Sequence, residues 1–588
     1  MPASKYDKWP ATRMGISHRI WSGQAAWAEI RRVAESRSAA PTIVVDCYPG
    51  TDIQTLHKEL GAAFAGYTVI DVEKHAARPT AEIDAMIDQN LTDDRVFGVM
   101  SHLRLTSFYV EDRLEEIARI ATQGPTVIFG WGAALAAPNR DVLALADLAR
   151  WEIQQRQRKG LPNWRSTNFD EDNLRKYKRG FFIEWRVADR HKQDLFSKLD
   201  FVIDTNASTT EAKVITGDTF REGLALTASK PFRVVPFFDP GVWGGQWMKD
   251  VCGLNDDEEN YAWCFDCVPE ENSLLLEVEG EHFELPSIDL VFRHPRELLG
   301  ELTFARFGAE FPIRFDFLDT MQGGNLSLQV HPLTEYIKDT FGMNYTQDES
   351  YYLLDAAKDA VVYLGVKDGT DPDEMVSALE TASTGVESFD AEKYVNMYPA
   401  KKHDHFLIPA GTVHCSGADS MVLEISATPF IFTFKMWDWD RVGLDGIPRP
   451  IHLEHAKENI QWDRGTKWTT ENLVDQVQVI EEGDGWVEER TGLHEFEFIE
   501  TRRHWFTKPV LHDTQGTVNV INLVEGSEAI VESPTGGFEP FIVHYAETFI
   551  IPAQVGEYII RPHGGAEGQK LGTLKASVRG TERPGFGK

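Results

Sequence analysis

Two short histidine-bearing segments constrain the fold of this chain more than any other feature. In the first, Ser327, Gln329 and His331 alternate with apolar residues, and such alternation along a β-strand places all three on one face. In the second, residues 409–414 join a turn containing proline and glycine to His414, which begins a further strand. Two such strands of a β-barrel would bring His331 and His414 to one ion. The sequence therefore predicts a metal site on a β-barrel.

A third segment supplies an acidic group for the same ion. Glu349 precedes the apolar run 350–354, which has the residue types of a buried strand. Two imidazoles, the amide oxygen of Gln329 and this carboxylate suit a divalent transition metal, usually Zn²⁺, with a position left for water or substrate. The alternative is that Gln329 and His331 form a hydrogen-bonded polar pair on a strand, without a metal.

The order and spacing of these motifs resemble those of class I mannose-6-phosphate isomerases. The resemblance extends from about Pro231 to His455. It is carried by the segments 243–245, 311–312, 326–332, 349–356, 408–414, 438–441 and 446–449. It implies a cupin-type β-barrel and the conversion of mannose 6-phosphate into fructose 6-phosphate, so we expect a small sugar phosphate as the substrate.

The resemblance also implies a single Zn²⁺ ion per chain and a role for each matching residue. The implied zinc ligands are Gln329, His331, Glu349 and His414. Ser327 would face the phosphate of the sugar. Glu424 and Arg441 would lie near the substrate.

Interconversion of an aldose and a ketose moves a proton between adjacent carbons through an enediol. It needs a base, a proton carrier and positive charge near the enediolate. A divalent ion polarises the sugar oxygens, and Lys435 or Arg441 would add positive charge in a pocket with little water. Glu424 is a candidate acid or base. Since residues 422–425 alternate in polarity, the alternative is that Glu424 lies on a solvated strand face.

Two positions near the expected ligands differ from the pattern of the family. Gln347 stands two residues before Glu349, where the family has a lysine, and Lys435 stands where the family has an arginine. Both changes weaken the expected binding of a phosphate. Gln347 lacks the positive charge of a lysine, and the ammonium group of Lys435 lacks the forked donors of a guanidinium. An isomerase then needs other cations, such as Arg314 or Lys401, around the pocket. Without them, a non-catalytic or regulatory metal- and sugar-binding protein is the alternative.

The first part of the chain alternates short apolar runs with helical patterns, which is typical of a parallel sheet wrapped by helices. The predicted strands are 42–46, 67–71, 96–100, 126–129 and 201–204, and the predicted helices are 114–122, 141–157 and 171–177. The layout resembles a P-loop nucleoside or uridine kinase. Residues 47–56 nevertheless lack the Gly-Lys-Ser/Thr signature that holds phosphates and Mg²⁺. We therefore expect a degenerate P-loop fold without kinase activity.

Strand patterns return after His455 and indicate a second small β-barrel, with strands at 496–499, 518–523, 528–531 and 547–551. Residues 549–558 repeat the turn that precedes His414 but lack its histidine, so we expect this barrel to be structural. The predicted architecture is a multidomain α/β plus all-β chain. It has a doubly wound parallel-sheet, P-loop-like domain at 1–229, a metal-binding cupin domain at 230–470 and a second, ligand-free cupin-like domain at 471–588.

Composition limits the partners of the chain. The formal charge of −33, from 92 acidic against 59 basic residues, argues against nucleic acid or an anionic membrane surface as the main partner. The sequence has neither a run of about 18 apolar residues nor the apolar core of a secretory signal. Five cysteines in 588 residues fit a reducing compartment better than a disulfide framework. We expect a cytoplasmic protein without nucleic-acid or membrane partners.

Overall fold

The chain forms two compact units. The computed structural model describes residues 4–207, 210–427, 431–444, 446, 449–492 and 494–581. The mixed unit consists of Ala11–Thr227 and Glu270–Arg293, and the β-rich unit consists of Met1–Pro10, Ala228–Pro269 and His294–Lys588. The three domains expected from the sequence stay predictions. The segment Glu270–Arg293 belongs to the mixed unit although it follows residue 230, where the next domain was predicted to start.

A seven-stranded sheet forms the centre of the mixed unit. Its strands, in spatial order, are Trp21–Ser22, Lys213–Thr216, Phe201–Asp204, Val142–Asp147, Thr42–Cys47, Thr126–Gly130 and Thr68–Asp71. The last five run parallel, whereas Lys213–Thr216 is antiparallel to both of its neighbours. Every residue of Thr42–Cys47 is buried, as expected for a central parallel strand. A smaller sheet contains Ala11–Arg13, Ser273–Val278 and Glu281–Pro286.

Helices separate most strands of the mixed unit along the chain. The α-helices are Gln24–Arg37, Ile53–Ala63, Val72–Ala76, Thr80–Leu91, Glu111–Ala121, Ala133–Ala136, Arg150–Arg158, Asn173–Arg179, Trp185–Leu195, Gly217–Ala228 and Ile288–Arg293. Short 3₁₀ or π turns are Leu105–Phe108, Gly180–Glu184 and Phe196–Lys198. The predicted helices 114–122 and 171–177 are confirmed to within a few residues.

Two of the sequence predictions for this unit are wrong. The predicted helix 141–157 begins with the strand Val142–Asp147, and its helical part is Arg150–Arg158. Alanine and leucine favour a helix by propensity, but burial between two parallel neighbours overrides that preference. The predicted strand 96–100 is irregular, because the Val99 N–H donates to the Asn90 carbonyl, at the end of a helix, rather than to a strand.

The turn after the central strand Thr42–Cys47 ends at Asp52, where the helix Ile53–Ala63 begins. The Asp52 carboxylate accepts hydrogen bonds from the backbone N–H groups of Gln54 (3.1 Å) and Thr55 (3.0 Å). A P-loop offers such N–H groups to a phosphate, but here an acidic side chain of the chain itself caps them. The P-loop-like fold stays a prediction.

Two antiparallel sheets of the β-rich unit contain the expected metal ligands. The first has six strands in the order His405–Ile408, Glu349–Ala356, Ser420–Ala427, Ile313–Asp319, Trp263–Cys267 and Phe237–Asp239. The second has five strands in the order Val395–Pro399, Val361–Val366, His414–Ser416, Leu328–Val330 and Phe434–Trp437. Glu349 begins a strand of the first sheet, and Gln329 pairs with His414 in the second.

Two further antiparallel sheets lie toward the C-terminus. One contains Gln478–Gly483, Trp486–Gly492, Ile499–Phe506, Leu571–Val578, Asn519–Glu525 and Thr548–Ile551, and the other contains Val510–Asp513, Glu557–Pro562, Glu528–Glu532 and Phe541–His544. Apolar side chains of both sheets form one core cluster that includes Phe506, Ile521 and Tyr558. The predicted strands 518–523, 528–531 and 547–551 are confirmed, whereas closure into two cupin barrels stays a prediction.

The described helices of the β-rich unit are short. They are Trp247–Cys252, Pro295–Leu299, Glu301–Phe307, Thr334–Phe341, Pro372–Ser383, Ala391–Tyr394, Leu453–Lys457 and Thr466–Asn472, with 3₁₀ turns at Ala553–Val555 and Gly564–Ala566. Within the described ranges of the chain, no helix combines the length and apolar character needed to cross a membrane.

His405, a fully buried residue of this unit, makes stability depend on pH. Burial, together with the nearby charge of Arg503, lowers the pKa of His405 to about 3. The unfolded chain, with a histidine pKa of about 6.5, therefore binds more protons than the folded chain between these values. Stability is fully present above pH 6.5 and falls as the pH drops below it. Between pH 7 and pH 5, the free energy of unfolding should fall by about 2 kcal/mol less in His405→Phe than in the unmutated protein, measured by urea unfolding. An unchanged pH dependence would exclude His405 as the cause.

Candidate metal centre

Three predicted ligands meet at one buried point of the β-rich unit. His331, Glu349 and His414 offer ligand atoms that all lie within 4.8 Å of one another. His331 Nε2 lies 3.0 Å from Glu349 Oε2, and His414 Nε2 lies 2.8 Å from Glu349 Oε1. His331 follows the strand Leu328–Val330, so ligand atoms from both sheets converge.

The hydrogen bonds of the two imidazoles fix their tautomers. His331 Nδ1 lies 3.1 Å from the Phe432 carbonyl oxygen, and His414 Nδ1 lies 2.8 Å from the Thr412 carbonyl oxygen. A carbonyl only accepts, so each Nδ1 donates a proton and each Nε2 of a neutral ring carries a lone pair.

Those lone pairs point at a carboxylate, which is the arrangement that a cation stabilises. His331 Nε2 and Glu349 Oε1 are buried and have no hydrogen-bond partner of acceptable geometry in the described part of the chain. Burial would raise the pKa of Glu349, and only positive charge beside it, such as that of protonated His331 and His414, holds that pKa well below its usual range. A bound cation supplies such a charge while both Nε2 atoms keep their lone pairs. An ionised carboxylate with two imidazole nitrogens fits a divalent transition metal.

Gln329 and Gln347 lie beside this triad. The Gln329 amide nitrogen is 3.2 Å from His414 Nε2, and rotation of the amide by half a turn would place its oxygen there instead. Gln329 can therefore supply an oxygen ligand. Gln347 Nε2 donates to Glu349 Oε2 at 3.1 Å, so the residue that replaces the family's lysine orients the acidic ligand.

Glu424, the expected acid or base, is buried and lies one strand away from Glu349. Its Oε1 accepts hydrogen bonds from Arg314 Nη2 (3.0 Å) and Ser426 Oγ (2.9 Å). Arg314 also donates to Asp316 at 2.8 Å. Burial, together with the negative charges of Asp316 and Glu349, raises the pKa of Glu424 well above its usual value. Glu424 is therefore buried, with its neutral form favoured more than in a free glutamate, and does not lie on a solvated strand face.

A group of charged residues surrounds Ser327. Ser327 Oγ donates to Asp438 Oδ1 at 2.8 Å. Arg441 Nη2 contacts Asp438 Oδ1 at 2.7 Å, and Arg449 Nη1 contacts Asp438 Oδ2 at 2.9 Å. Arg449 also donates to Ser327 Oγ at 3.4 Å. Two guanidinium groups therefore converge near the serine that the resemblance assigns to the phosphate, and one carboxylate joins them.

Part of the chain is similar in sequence to known proteins. Mannose-6-phosphate isomerase ManA of Bacillus subtilis is 27% identical to the chain over 233 residues, which cover 40% of this chain and 69% of that protein. The chain is homologous to class I mannose-6-phosphate isomerases over about 40% of its length. Residues 25–229 match a family described only as a domain of unknown function, DUF8485.

Solved structures of mannose 6-phosphate isomerases are also similar to the chain. The enzyme from Bacillus subtilis is 19% identical, with 59% of this chain and 99% of that chain covered and a TM-score of 0.47. A zinc-bound mannose 6-phosphate isomerase is 13% identical, with the same shares of the two chains covered and a TM-score of 0.44.

Three other basic residues expected near the pocket, Lys435, Arg314 and Lys401, lie in different places relative to the candidate metal ligands. Lys435 pairs in register with Gln329, which itself pairs with His414, so Lys435 lies on the ligand-bearing face of this sheet. Arg314 lies among the acidic groups near Glu424. Lys401 is largely exposed and lies 4.0 Å from Asp404, away from the ligands.

Sequence reasoning did not assign a role to Asp438 or Arg449. Both belong to segments that carry the resemblance, although residues 447 and 448 lie outside the described residues. The sequence does show that Asp438 is followed within eleven positions by two arginines, Arg441 and Arg449, and this grouping could have indicated the cluster. The carbonyls of Phe432 and Thr412 left no signal, since every residue has a carbonyl.

Proposed function

We propose that the chain is a Zn²⁺-dependent aldose–ketose isomerase of a sugar phosphate, with mannose 6-phosphate and fructose 6-phosphate as its substrate pair. The observation that carries the proposal is the buried set of His331, Glu349 and His414, with both histidine Nε2 atoms directed at the carboxylate. The homology to mannose-6-phosphate isomerases supports the same reaction. Cupin-type barrels and a cytoplasmic location form part of this proposal.

The side chains around the metal would have different roles in the reaction. Bound Zn²⁺ would polarise the sugar oxygens and stabilise the negative charge of an enediolate. Glu424 is buried with a raised pKa and serves as the candidate acid or base, with Arg314 fixing its carboxyl group. Lys435 and Arg441 add positive charge, and Ser327 with Arg449 receives the phosphate.

A non-catalytic metal- and sugar-binding protein is the second candidate function. One observation favours it: Asp438 contacts both Arg441 and Arg449, so its carboxylate competes with a phosphate for the two guanidinium groups. A neutral sugar would meet no such competition. The two candidates differ in turnover and in the preference for phosphorylated sugars.

Metal removal tests the proposed function. The full-length protein is treated with a chelator, dialysed, and assayed for conversion of mannose 6-phosphate before and after Zn²⁺ is restored. Turnover that disappears and returns with Zn²⁺ is expected. Restored zinc content without turnover, accompanied by binding of mannose, would instead establish the second candidate.

Arg449 should contribute to phosphate binding more than to the chemical step. We expect Arg449→Met to raise KM for mannose 6-phosphate about 10- to 100-fold with a smaller change in kcat, because one charged hydrogen bond to the phosphate is lost. Lys401→Met is the matched control, since it removes an exposed positive charge away from the ligands. Equal KM values for Arg449→Met and the control would show that the phosphate binds elsewhere.

A further inference from the structure

Two buried histidines interrupt the apolar core between the C-terminal sheets. Phe506 and Val510 belong to that core, and His504 and His512 lie two residues from them on the same strand faces. Their exposed fractions are 3% and 6%, so both rings are shielded from water. Buried polar groups are costly unless they are paired, and the partners of these rings therefore matter.

An acidic side chain determines the tautomer of His504. His504 Nε2 lies 3.3 Å from Glu488 Oε1, and Arg502 Nη1 donates to the same oxygen at 3.2 Å. Burial would raise the pKa of Glu488, but the hydrogen bond from His504 and the charges of Lys575 and Arg502 lower it to about 2. The carboxylate accepts the Nε2 proton, so Nδ1 of His504 carries a lone pair.

His512, whose ring lies close to that of His504, presents a second buried nitrogen without a hydrogen-bond partner in the described part of the chain. The ring centroids of His504 and His512 are 4.5 Å apart, and Tyr558 stacks on His512 at 5.1 Å. Burial, followed by the charges of His504 and Lys575, lowers the pKa of His512 well below its usual value. Neither His504 Nδ1 nor His512 Nε2 has a hydrogen-bond partner among the residues that the structure describes.

A hydroxyl group lies on the same face. Thr573 pairs in register with His504, and its buried Oγ1 also lacks a hydrogen-bond partner within the described residues. The imidazole separation resembles that of His331 and His414, whose centroids are 5.0 Å apart at the candidate zinc site. A cation can bind two such imidazole nitrogens, because each neutral ring offers a lone pair, whereas an anion would require protons on both nitrogens.

We infer that a divalent transition-metal ion binds between His504 and His512, at a second site separate from His331, Glu349 and His414. Glu488 stands behind His504 as the carboxylate that orients a ligating imidazole. Thr573 Oγ1 and water complete the coordination. The C-terminal sheets, expected from sequence to be ligand-free, would then carry a metal of their own.

Zinc stoichiometry of the full-length protein tests the site independently of the first. His331→Ala/His414→Ala protein, folded by circular dichroism and loaded with Zn²⁺, should keep about one equivalent per chain. Adding His512→Phe, which preserves a ring against Tyr558, should remove that equivalent. His405→Phe in the same background is the matched control, because it replaces another buried histidine and should leave the zinc in place.

Glu488→Gln provides a second variant with a readout other than folding. Loss of the carboxylate that holds the His504 tautomer should weaken Zn²⁺ or Co²⁺ binding about 10- to 100-fold in the His331→Ala/His414→Ala background. The absorption spectrum of bound Co²⁺ should change with it. The inference is overturned if the folded background protein binds no zinc, or if its zinc survives His512→Phe with unchanged affinity.

Discussion

His414→Ala is expected to remove the zinc of the first site and to lower turnover of mannose 6-phosphate about 1000-fold or more. His414 supplies one of the two imidazole nitrogens that face Glu349, and its Nδ1 is already committed to the Thr412 carbonyl. Alanine leaves the carboxylate with a single imidazole in a buried space. Zinc content and kcat/KM, measured on the same preparation, check the expectation.

The controls for His414→Ala separate metal loss from loss of folding. His405→Phe replaces a buried histidine on another strand of the β-rich unit and should keep both the zinc and the turnover. Glu349→Gln should behave like His414→Ala, since a neutral amide cannot offset the charge of the ion. A folded His414→Ala protein that retains its full zinc content would refute the ligand assignment.

Arg314→Met is expected to destabilise the fold by about 3–5 kcal/mol at neutral pH, because it leaves the buried acidic groups Asp316 and Glu424 without their cation. Burial raises the pKa of both carboxyl groups, even with Arg314 present. When the pKa of a carboxyl group is higher in the folded protein than in the unfolded chain, its ionisation is less favourable in the folded protein. The free energy of unfolding therefore falls as the pH rises above about 4, the carboxyl pKa in the unfolded chain. The deficit should therefore be larger at pH 8 than at pH 5, measured by urea unfolding.

Two further variants test the reason given for that loss. Arg314→Lys keeps a positive charge and should lose less stability than Arg314→Met. Adding Glu424→Gln to Arg314→Met should restore part of the loss, because one buried ionisable group is removed. A loss below about 1 kcal/mol for Arg314→Met would mean that the acidic groups do not depend on this arginine.

The candidate ligands could be predicted because each occupies a strand motif with a visible period. Alternation placed Gln329 and His331 on one face, and the turn before His414 marked the start of its strand. The sequence left open which face of 422–425 is buried, since alternation alone does not distinguish the inside of a sheet from the outside. In the structure every residue of Ser420–Ala427 is buried, so both faces of this strand are covered.

Other parts of the fold could not be predicted because long-range pairing determines them. Val142–Asp147 reads as helix by composition, yet two parallel neighbours hold it as a strand. Ser273–Val278 pairs with Ala11–Arg13 from the start of the chain, and local pattern carries no signal for such a distant partner. The guanidinium groups near Ser327 likewise meet only through the fold.

Proton transfer on the sugar tests the proposed isomerase most directly. Zinc-loaded full-length protein is incubated with mannose 6-phosphate labelled with deuterium at C2, and the products are followed by NMR. We expect fructose 6-phosphate to form, with deuterium either transferred to C1 or exchanged into water, and the reaction to stop when zinc is removed. A folded, zinc-loaded protein that leaves the label at C2 and forms no ketose would contradict the proposed function.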